Sequence, residues 1–84
     1  MDKVVLWTVS ACSYLKELHP SKQEKQQIKE TLSQVIKGEA TGHPVPFNQH
    51  PGELVITSGR FALIYRPAKE NIVVTGVEPC DASA

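Results

Sequence analysis

Ser58-Gly59-Arg60-Phe61-Ala62-Leu63-Ile64-Tyr65-Arg66 is the stretch on which the fold turns. In an extended chain successive side chains point to opposite faces, so Phe61, Leu63 and Tyr65 share one face and Arg60, Ala62, Ile64 and Arg66 the other. The first set carries both aromatic residues and faces the core. Glu53–Thr57, just upstream, is a second strand-like run, and Ser58-Gly59 between the two suits a tight hairpin because Gly tolerates positive φ. A third run, Ile72–Val77, follows the turn Pro67–Asn71. Three consecutive strands are the consequence.

The N-terminal half reads differently. Lys3–Trp7 is too short for a helix and rich in strand formers, so it is an opening strand. Ser10 can cap a helix in which Ala11, Tyr14, Leu15 and Leu18 recur at i, i+3, i+4 and i+7, forming one apolar face. His19-Pro20 ends it, because the residue before a proline is pushed out of the α region. Ser21-Lys22-Gln23-Glu24 then spells a capping box, in which each side chain satisfies the other residue's backbone N–H. The helix it opens places Ile28, Leu32, Val35 and Ile36 on one stripe and closes at Lys37-Gly38, with Gly38 as left-handed terminator. Its first turns, Ser21 to Gln27, are wholly polar and are expected to project past the core. From Glu39 to Gly52 the chain is rich in Gly, Pro and His, which suits an extended connector that Phe47 pins to the core.

The expected fold is therefore α+β, in the order β-α-α-β-β-β, with a helical hairpin on one face of a small antiparallel sheet. One domain spans residues 1–78 and a short flexible tail 79–84. Because two helices cover only one face, apolar side chains such as Val55, Ile64 and Val73 are expected on the uncovered one.

Composition narrows the function classes. The chain has 84 residues, of which 40% are hydrophobic and 21% charged, as in an ordinary globular domain. Nine Lys+Arg balance nine Asp+Glu, so the net charge is zero and bulk electrostatics offer no general pull toward phosphate backbones or anionic lipid. The longest apolar run, Val4–Tyr14, is interrupted by Thr8, Ser10 and Ser13 and falls short of the roughly 20 residues that span a bilayer. Met1-Asp2-Lys3 does not open a secretory signal, which points to the cytoplasm. Cys12 and Cys80 carry no metal or CxxC spacing and read as free thiols. No phosphate loop, nucleophile triad or metal-ligand motif is present, so no cofactor and no metal is expected.

The element order, the Tyr14–Leu18 helix, the Gly42-His43-Pro44-Val45-Pro46 approach and above all Ser58–Arg66 followed by Asn71-Ile72-Val73-Val74 resemble the RelE/ParE superfamily, small toxins of bacterial type II toxin–antitoxin systems. The likeness spans nearly all of Val4–Val77. It implies a cognate antitoxin laid over the sheet and helices, with operator DNA reached only through that antitoxin. It also implies that the free toxin acts as a RelE-type, metal-independent mRNA endonuclease on the ribosome and so inhibits translation. The alternative is a non-nuclease member, either a ParE-type inhibitor of DNA gyrase or a catalytically degenerate protein-binding module. The sequence departs from the nuclease pattern where it carries Ala62 in place of the usual hairpin arginine, and Glu53, Val55 and Thr57 where basic residues are common.

The candidate catalytic residues are Arg60 and Arg66, which could neutralise charge at a scissile phosphate, and His50 as acid or base. Lys22, Lys25 and Lys29, at i, i+3 and i+7, form a basic ridge beside the apolar stripe and, with Arg60 and Arg66, are the candidate contacts to RNA or a protein partner. Tyr65 reads as a core residue with a satisfied hydroxyl.

Overall fold

The computed structural model describes residues 4–44 and 52–79. Phe47 and His50 in the connector, and residues 80–84 of the expected tail, lie outside them, while Pro79 closes the last strand. Five strands and two helices follow one another as β1 (Val4–Trp7), α1 (Val9–Glu17), α2 (Lys22–Ile36), β2 (His43–Pro44), β3 (Leu54–Ser58), β4 (Phe61–Pro67) and β5 (Asn71–Pro79). They form one sheet in the order β1-β5-β4-β3-β2, with the helices packed on one face.

The hairpin is antiparallel, but its turn sits one residue later than the sequence suggests. Ser58 pairs with Phe61, which leaves Gly59-Arg60 as the two-residue loop. Gly59 takes φ +60 while Arg60 stays at negative φ, the pattern of a type II′ turn with glycine first. Ser58 is retained in the strand because its buried side chain accepts a hydrogen bond from the Thr31 hydroxyl at 3.1 Å.

The sheet is mixed. β5 pairs antiparallel with β4 on one side and parallel with β1 on the other, with Val4 opposite Asn71 and Trp7 opposite Val74. The Thr8 N–H prolongs this ladder to the Val74 carbonyl at 3.1 Å. The chain then turns straight into α1, and Thr8 is its cap, accepting from the Ala11 N–H at 3.1 Å. The expected cap, Ser10, lies inside the first turn. His43 and Pro44 add a short edge strand to β3, placed by the Gly42 N–H, which donates to the buried Tyr65 hydroxyl at 2.8 Å.

The core is built on the expected face of β4. Phe61, Leu63 and Tyr65 of β4 are buried with Ile72, Val74 and Val77 of β5, Ala11 of α1, and Ile28 and Leu32 of α2. Tyr14 does not join them and is 53% exposed. On the uncovered face Val55, Ile64 and Val73 are only partly buried, while Val4 and Leu6 at the β1 edge are exposed. Among the described residues no helix is long and apolar enough to cross a membrane.

Candidate partner groove and open sheet face

α1 and α2 are joined through the short turn at His19 and Pro20. Between them runs a groove of about 950 Å³, floored by apolar side chains that include Trp7, Leu15, Ile28 and Leu32. Among the described residues its lining carries Lys16, His19, Lys25 and Lys29 and no carboxylate. Two of the three ridge lysines, Lys25 and Lys29, therefore border this groove, and Lys22 lies outside its lining. Lys16, His19 and Trp7 come from the other side, a placement that requires knowing how α1 faces α2. On a chain of zero net charge this is a local cationic rim around an apolar floor, suited to an amphipathic segment with acidic flanks.

The opposite face carries a shallow hollow of about 400 Å³ lined by Glu53, Ile64, Arg66, Thr75 and Gly76. It forms where β5 slips past β4: Ile64 pairs with Gly76 and Tyr65 with Val74, so Thr75 is the extra residue of a bulge. The Thr75 hydroxyl donates to the Glu53 carboxylate at 2.6 Å. Arg66 is exposed on the rim of this hollow, so the cation that the open face presents here stands beside a carboxylate.

Arg60 is engaged elsewhere. From the hairpin loop its Nε donates to one Glu24 carboxylate oxygen and its Nη2 to the other at 3.1 Å. Nη2 also faces the Leu18 and His19 carbonyls at 3.2 and 3.4 Å, and the guanidinium stacks on Phe61, 4.6 Å from the ring centre. Glu24 simultaneously completes the capping box: its carboxylate accepts from the Ser21 N–H at 2.9 Å while its own N–H donates to the Ser21 hydroxyl at 3.1 Å. The bond from Arg60, and then that from the Ser21 backbone, hold the Glu24 carboxyl at a pKa of about 2, far below its ordinary 4.5. The polar start of α2 is thus tied to the hairpin rather than projecting free.

The remaining candidate, His50, lies outside the described residues, and His43 is exposed in β2. Cys12 is a free, exposed thiol on α1. Among the described residues no three His, Cys, Asp or Glu side chains are grouped to hold a metal.

No protein-family model and no curated protein matches the chain. Among solved structures it is similar to a chain of the chromosomal ParDE TA system from P. aeruginosa, with a TM-score of 0.64 and 17% sequence identity over 96% of this chain and 98% of that one. The likeness establishes the fold alone, an α+β arrangement of two helices on a five-stranded mixed sheet.

Proposed function

We propose that this chain is the toxin of a type II toxin–antitoxin pair, and that the groove between α1 and α2 seats an apolar, acid-flanked segment of its antitoxin. The observation that carries the reading is the union of an apolar floor with a rim that, among the described residues, holds three lysines and a histidine and no acid. The fold, shared with a chain of a ParDE TA system, supports it. Apolar contact supplies affinity in such a groove, whereas the rim charges mainly guide encounter and register.

For the free toxin, the ParE-type action on DNA gyrase is favoured over mRNA cleavage. Metal-independent cleavage needs cations gathered at the scissile phosphate. Here Arg66 shares its hollow with Glu53, and the Arg60 guanidinium is bound to Glu24. The reading places the protein in the cytoplasm, where either target resides. Induced expression with separate pulse labels for DNA and protein synthesis tests it. Early loss of DNA synthesis is expected; early loss of translation would favour the RelE-type reading, and normal growth would leave a protein-binding module without toxicity.

A further inference from the structure

Arg60 joins parts of the molecule that are remote in sequence. Its guanidinium reaches the Leu18 and His19 carbonyls just past the end of α1 and the Glu24 carboxylate in the first turn of α2, while its backbone belongs to the β3–β4 loop. These contacts lie at the turn that joins the two helices, close in sequence to Leu15, His19, Lys25 and Ile28 of the groove lining. Next to Arg60, Gly59 faces the Gln27 amide so closely that a Cβ on Gly59 would lie 3.0 Å from its Oε1.

We propose that Arg60 is a positioning residue, a latch that fixes the spread of α1 and α2 and so the width of the partner groove. The inference deepens the reading of that groove as a partner's seat and rests on it for its biological purpose, but the latch itself is a property of the isolated chain. Three features make Arg60 fit this role. A planar guanidinium can engage a carboxylate through two N–H groups and still reach a carbonyl, which a lysine ammonium cannot do with the same geometry. Its stacking on buried Phe61 anchors it to the sheet. Its two helix partners sit on either side of the His19-Pro20 turn, so a single side chain sets the angle between two helices whose inner faces enclose the groove.

The test uses the isolated chain with two substitutions, Arg60→Lys and Glu24→Gln. Gln at the third helical position can still complete a capping box, so Glu24→Gln removes the ion pair while keeping the helix start. Two readouts are taken: amide hydrogen exchange by segment, and the emission of Trp7, the chain's one tryptophan, which lines the groove. Both variants are expected to speed exchange roughly fivefold at the end of α1 and the start of α2 while β4 and β5 stay protected, and to shift Trp7 emission to the red. Unchanged helix-end exchange and unchanged emission, or a rise spread equally over sheet and helices, would overturn the latch. Because no partner enters the measurement, its failure is separate from a failure of the toxin reading, which is decided by growth and pulse labelling.

Discussion

Gly42 shows how much of this small structure hangs on single residues. A Cβ there would lie 2.6 Å from the Val55 carbonyl oxygen and 3.0 Å from the Tyr65 ring and hydroxyl, so the backbone itself must fill the gap between connector and sheet. Gly42→Ala is expected to destabilise the fold by about 1–3 kcal/mol in urea unfolding, the usual cost of forcing atoms into a filled site. Tyr65→Phe leaves the ring in place but strands the Gly42 N–H in a buried position, and should cost about 1–3 kcal/mol. His19 is strained in a different way. It occupies φ +50 between α1 and Pro20, a left-handed conformation that suits glycine. The proline does exclude the right-handed helix, as the His19-Pro20 pair suggests, but the residue goes to the left-handed region and not to an extended one. His19→Gly should raise stability by about 0.5–1 kcal/mol, read as a rise of a few degrees in Tm. A fall would mean that the imidazole makes a contact worth more than the strain.

Among the elements, α2 is the one whose attachment depends on both packing and charge. Ile28 and Leu32 bury its inner face, and Glu24 ties its first turn to Arg60 and Ser21. Glu24 has a pKa near 2 in the fold against 4.5 ordinarily, so the folded state binds this proton less readily than the unfolded chain. Its contribution is fully present above about pH 5 and disappears as pH falls from 4.5 toward 2. Unfolding midpoints followed from pH 6 to pH 2 should therefore show an acid loss in the native chain that is smaller in Glu24→Gln, and equal losses in both would remove Glu24 as its source. The capping box was legible in Ser21–Glu24 because every group it uses lies within four residues. So was the strand face of Phe61, Leu63 and Tyr65, which alternation alone assigns. The third partner, Arg60, lies 36 residues from Glu24, and no local pattern announces it. The cap of α1 fell to Thr8 and not Ser10 for a similar reason: the Thr8 N–H is bonded to the Val74 carbonyl, far along the chain, where the sheet gives way to the helix.

At the scale of the whole molecule, the non-local pairing decides where the surfaces lie. Setting β1 parallel to β5 brings Val5 and Trp7 beneath the helices and leaves Val4 and Leu6 at an exposed edge. The order of elements fits an all-antiparallel sheet as well, because a parallel neighbour depends on a contact between the first and last strands. The same pairing gives the groove its floor and unites Lys16 and His19 of one helical segment with Lys25 and Lys29 of the next. The basic ridge was readable from spacing, but the groove it borders is a product of assembly. Rim charges of this kind act at long range and are screened by salt, so the partner's association should slow as ionic strength rises.

Growth after induced expression, with and without the product of a reading frame adjacent to the gene, brings these scales together. The wild-type chain should arrest growth alone and be neutralised by that product. The double variant Lys25→Glu/Lys29→Glu should still arrest growth but escape neutralisation, because its rim would repel an acid-flanked segment. Full neutralisation of the charge-reversed chain would contradict the groove as the antitoxin's seat, and unimpaired growth with the wild-type chain alone would contradict the toxin itself.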